Sequence, residues 1–131
     1  MNAKNLFTFV AVIVTLFGLG LIFFPAFMAE QYLTNPSMLN AGFKVVAQSY
    51  GTHLIAYAVV CWYVRDAGTS SLGGKVMLLL VLLSNLGLMA VHTLAVLNGV
   101  EKATGWGQVL LSLVLVVWSG ILFRQTDRIV A

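Results

Sequence analysis

Four long apolar runs, at 6–24, 43–64, 76–98 and 106–123, alternate with short polar segments along the chain. Each comes near the roughly 17 to 25 residues that an α-helix needs to cross a bilayer. The pattern predicts an all-α fold, an integral membrane bundle of four transmembrane helices forming a single membrane domain over residues 1–131. The first run follows Lys4 and is closed by Pro25. It is longer than the roughly 7 to 15 apolar residues of a secretory signal core, and residues 26–29 lack a clean small-x-small cleavage pattern, so it is expected to be a retained helix.

Residues 25–41 mix Phe27, Met28, Tyr32 and Met38 with Glu30, Gln31 and Thr34, which suits a short interfacial segment between helices one and two. Asn35 followed by Pro36 is a helix-start signal: the Asn side chain caps orphan amides, and proline occupies a position whose amide needs no partner. The second helix is therefore expected to begin ahead of its membrane part. Residues 65–75 contain Gly68, Ser70, Ser71, Gly73 and Gly74 and read as a polar turn. Gly99 ends the third run, and a short segment around Glu101 and Lys102 leads into the fourth.

Composition fixes the solvent. Of 131 residues, 60% are hydrophobic and 8% charged, and mean hydropathy is +0.98, whereas a soluble domain carries roughly a quarter charged residues. The net charge of +3 comes from seven Lys and Arg scattered between the apolar runs. They form no stripe able to track a phosphate backbone, which excludes nucleic acid as a partner. Lys4, Arg65, Lys75, Arg124 and Arg128 fall on one side of an even-numbered bundle and Lys44 and Lys102 on the other, so both termini are expected in the cytoplasm. Trp62 and Tyr63 near one face, with Tyr32 and Trp106 near the other, match an interfacial aromatic belt. Cys61 is the only cysteine, which rules out an internal disulfide, a CxxC pair and a cysteine zinc cluster.

Candidate chemistry is sparse. The four runs contain no Asp or Glu, so a proton-coupled carrier built on an intramembrane carboxylate, or a paired-carboxylate enzyme, lacks its usual working part. His53 and His92 remain. At ~1.5 Å per residue they lie at similar depth, roughly 13 Å from Lys44 and roughly 9 Å from Asn98. Ser49, His53 and Tyr57 share one face of helix two, and Asn85, Met89 and His92 share one face of helix three. Two polar stripes would thus face each other.

Two imidazoles on neighbouring helices would ligate a haem iron axially, or with Met89 a copper ion. Against that stands ordinary interhelical hydrogen bonding, worth about 0.6 kcal/mol per bond, and two histidines alone do not define a metal site. The balance favours the structural reading, with no cofactor. Gln48 and Thr52 would line a polar entrance near Lys44 or pair between helices. Cys61 reads as a small packing residue.

Phe23, Phe24 and Pro25 closing helix one, a short amphipathic stretch, Gly51 in helix two, and Trp62 with Arg65 at its end resemble the layout of small bacterial four-helix proteins of the broad DoxX-like group. Lys44 loosely matches the basic residue expected near the start of helix two. The resemblance implies a multi-pass bacterial inner-membrane protein and no particular reaction.

Three functional expectations follow. The first is a non-catalytic accessory or structural subunit, bound to lipid, to other membrane subunits or to copies of itself through its helix faces. The second is a small haem- or quinone-associated redox protein using His53 and His92. The third is a homo-oligomeric channel or carrier lined by Gln48, Thr52, His53 and Asn85.

Overall fold

The computed structural model describes residues 2–127, and Arg128, counted above among the cytoplasmic basic residues, lies outside them. The described chain is helical: α1 (Ala3–Phe23), α2 (Pro25–Tyr32), α3 (Ala41–Val64), α4 (Leu72–Leu97) and α5 (Gly105–Asp127). α1 starts where the Asn2 side chain accepts a hydrogen bond from the Lys4 amide at 2.8 Å. It stops at Phe24, because a residue before proline is disfavoured in the helical region, and Pro25 then opens α2.

Two sequence expectations need correction. Asn35 and Pro36 do start a helical turn, with the Asn35 side chain accepting from the Ser37 amide at 2.9 Å. That turn is a 3₁₀ piece ending at Met38 rather than the beginning of the next long helix. α3 opens instead behind Asn40, whose side chain accepts from the Phe43 amide at 2.9 Å. α4 likewise begins inside the stretch read as a turn, because Ser71 caps it by accepting from the Gly74 amide at 3.0 Å. Gly99 ends α4 as expected. It sits at φ +70°, and the bonds Gly99 N–H to Val96 C=O and Val100 N–H to Ala95 C=O form a Schellman cap.

Three helices, α1, α4 and α5, are long and apolar enough to cross a membrane. α3 has the length, at 24 residues, but its first half carries Lys44, Gln48, Ser49, Thr52 and His53, and it is not among them. On length and composition the spans therefore number three, against the four expected. The outer faces are dressed for hydrocarbon: Leu16, Val46, Leu83, Val91 and Leu110 are all exposed, a surface unsuited to water.

The helices form two pairs, α1 with α3 and α4 with α5, which touch each other only along narrow edges. Within the first pair the backbones approach closely. A Cβ added to Gly18 would lie 2.9 Å from the Gly51 carbonyl oxygen, and one added to Gly51 would lie 2.8 Å from that of Gly18. Small residues at such a crossing bring two helices into full van der Waals contact.

The buried core lies at the end of the bundle that holds the termini. Leu6, Phe7 and Val10 of α1 meet Cys61 of α3, Leu78 and Val81 of α4, and Leu122 of α5. Phe9 and Trp118 add a tilted ring pair at 6.3 Å between α1 and α5. On the rim, Lys4 pairs with Asp66 at 2.7 Å, and the Arg65 guanidinium stacks 3.5 Å over the Trp62 ring. At the far end the pairs are tied by main chain. Thr34 N–H donates to Val100 C=O at 3.1 Å, Lys102 N–H donates to Tyr32 C=O at 2.6 Å, and Leu33 bridges antiparallel to Glu101. Thr34 and Thr104 hydroxyls and the Lys102 ammonium donate to further backbone carbonyls across the same join. This clasp docks α2 and its exit strand onto the α4–α5 turn.

Candidate site: an apolar cavity with one ionisable end

Between the packed core and the clasp, the two helix pairs flank a partly open cavity of about 440 Å³, within the roughly 300 to 1,000 Å³ range of small-molecule pockets. Its walls are mostly aliphatic: Val10, Ile13 and Leu21 from α1, Leu80 and Leu88 from α4, and Leu111 from α5. Polar side chains are spread along it, from Tyr57, Ser84 and Asn85 beside the core to Tyr32, His92 and Glu101 at the clasp.

His92 and Glu101 form the polar end. The His92 Nδ1 lies 2.8 Å and 3.0 Å from the two Glu101 carboxylate oxygens, with side-chain exposures of 20% and 11%. An ionised carboxylate only accepts, so Nδ1 carries the proton and donates, leaving Nε2 as the nitrogen without that bond. The local fold explains the meeting. Because the Schellman cap at Gly99 reverses the chain at the end of α4, Glu101 folds back over the last turns of the helix that carries His92. The clasp then holds Glu101 from its other side through the bridge with Leu33.

Tyr32 of α2 lies beside this end, its ring 6.3 Å from the imidazole. Burial, and to a lesser degree the negative charge of Glu101, push its phenol above the ordinary tyrosine value. Tyr32 therefore stays a neutral hydroxyl across the physiological range.

His53, Tyr57 and Asn85, all singled out from the sequence, line the same cavity as His92. His53 Nδ1 donates to the Ser49 carbonyl at 2.8 Å, and the Asn85 side-chain amide donates to the Val81 carbonyl at 2.8 Å. Both partners are in the residue's own helix, so these two groups are satisfied locally rather than across helices. Gln48 alone of the expected cluster makes an interhelical bond of that kind, to the Ile22 carbonyl at 3.0 Å. Thr52 donates to the Ser49 carbonyl at 2.7 Å. Gln48, Ser49, Thr52 and Met89 are not among the cavity-lining residues.

The Tyr57 hydroxyl is the exception to local satisfaction. It is buried beside Ser84 without a hydrogen bond of normal geometry. A buried hydroxyl left unpaired costs on the order of 1–3 kcal/mol, which makes it a natural partner for a polar atom of an occupant.

No hydrogen bond links His53 with His92, and among the described residues no group of three or more His, Cys, Asp or Glu is placed to hold a metal ion. The lining offers three tyrosines, two histidines and one carboxylate among largely aliphatic side chains. Glu101 is the residue sequence reasoning missed. Its signal was there: nine positions after His92, just past a glycine that stops a helix, an acidic side chain is placed to reach back. Comparison with protein-family models, curated proteins and solved structures finds no match for the chain.

Proposed function

We propose that this chain is a four-span membrane protein that holds one lipophilic small molecule between its helix pairs, with the His92–Glu101 pair at the polar end of that molecule. One observation carries the reading: a carboxylate that is 11% exposed opens onto a chamber walled mainly by aliphatic side chains. A carboxylate so little exposed, with a specific partner and beside a cavity, is a mark of a recognition site. The reading also accounts for α3. Its polar residues weaken it as a lone span, yet Tyr57 is half-buried on the cavity wall, and Tyr50 and His53 border the cavity from exposed positions. The excess of basic residues beside the termini supports a cytoplasmic placement of both ends, and the resemblance to the DoxX-like group supports a bacterial inner membrane.

Mass spectrometry of solvent extracts from protein purified in mild detergent tests the reading. Wild type should release one lipophilic compound in near-stoichiometric amount. Ser84→Phe, which fills the chamber, should release at least about tenfold less, equivalent to ~1.4 kcal/mol of lost affinity. Identical bulk-lipid mixtures from both proteins would overturn the proposal. An accessory role draws on a separate observation, the exposed apolar residues on the outer helix faces, and predicts a protein partner retained through the same purification. The visible spectrum of that preparation covers haem: a Soret band lost in both His53→Ala and His92→Ala would put the redox reading first.

A further inference from the structure

The sign of charge at the polar end narrows the class of occupant. Among the residues that line the cavity, Glu101 is the only carboxylate, and there is no Lys or Arg. The nearest cation in sequence, Lys102, is engaged elsewhere, its ammonium donating to the Glu30 carbonyl across the clasp. Among the described residues, the one ion-pairing partner of Glu101 is His92. The lining thus holds one carboxylate, hydrogen-bonded by His92, and no Lys or Arg to balance it. Such a lining offers carboxylate, phosphate and sulfate heads no guanidinium or ammonium. It complements a positive one.

The rest of the lining agrees. Tyr32, Tyr50 and Tyr57, with Phe43 and Phe17, bring five aromatic rings to the cavity, and aromatic faces attract desolvated organic cations. Aliphatic walls accept the apolar body of the same molecule. We infer that the cavity takes a lipophilic organic cation, a hydrophobic amine or quaternary onium, its charge against Glu101 and its body among the α1, α4 and α5 side chains. This inference rests on the small-molecule reading above and names the chemistry of the occupant.

Three probes of similar bulk separate the two ideas: tetraphenylphosphonium, tetraphenylborate and neutral triphenylphosphine oxide. Binding is measured by equilibrium dialysis against the full chain in phosphatidylcholine nanodiscs, with empty nanodiscs and Ser84→Phe as controls for partition into lipid. Wild type should bind the phosphonium at least about tenfold more tightly than the borate. Glu101→Gln should abolish that preference while still binding the neutral probe, and Glu101→Asp should keep it. Should Glu101→Gln fail to give monodisperse protein, the wild-type preference between the two ions decides alone. Equal binding of all three probes, or tighter binding of the borate, overturns the cation inference and leaves the cavity reading standing. Absence of binding by every probe beyond the Ser84→Phe control overturns both.

Discussion

Asp66 lies in the α3–α4 turn between two cations, 2.7 Å from the Lys4 ammonium and 3.2 Å from the Arg65 guanidinium. Hydrogen bonds from Lys4 first, and then from Arg65, hold its carboxyl below the usual aspartate range. A depressed folded-state value stabilises the fold above the unfolded value of about 3.9, and the contribution is lost as pH falls through the lower folded value. Because the group is fully exposed, solvent and salt screen it. Asp66→Asn should therefore lower the thermal midpoint slightly at neutral pH and low ionic strength. The gap should close below about pH 4 and shrink at high salt. An equal gap at every pH would show that Asp66 acts through something other than its charge. At this same scale the histidines were legible in the sequence, because polar residues stand out in an apolar run. Glu101 was not, because its role depends on how tightly Gly99 reverses the chain, and a list of spans assigns it to a loop.

The elements were the most readable part. Hydrophobic run length gave the four long helices to within a few residues, since a bilayer-length apolar segment has little alternative to helix. The errors fell at starts, where several capping residues compete. Asn35 and Asn40 both cap, the first a single 3₁₀ turn and the second the long helix, and the capping signal alone does not tell the two apart. Helix pairing was less readable. The contact of Gly18 with Gly51 fixes the α1–α3 crossing, and adding a methyl there drives a Cβ to within 2.8 Å of a carbonyl oxygen that has no rotamer to move away. Gly51→Ala is expected to destabilise the protein by about 1–3 kcal/mol, the usual cost of overpacking, measured as a shift in its thermal or denaturant midpoint. Gly87→Ala, with nothing within 4 Å of the added methyl, should be neutral by comparison. Equal loss at both positions would count against a close-packed crossing.

For the whole molecule, orientation is the property most open to a direct experiment. In a Cys61→Ser background, which removes the only native thiol, Ser37→Cys and Thr69→Cys place single thiols at opposite ends of the bundle. An impermeant maleimide added to intact cells should label the first, and the second only after the membrane is opened. The reverse result would overturn the proposed topology.

The interlocked side chains lie near the termini, while the opposite end is joined mainly through main-chain carbonyls at the clasp. The kind of cohesion thus changes along the long axis, side-chain packing at the base and backbone hydrogen bonds at the rim, in the manner of a clothes-peg. Between base and rim the two limbs meet only along narrow edges. On the reading proposed above, an occupant would therefore enter between the two pairs from within the bilayer rather than from the water above it.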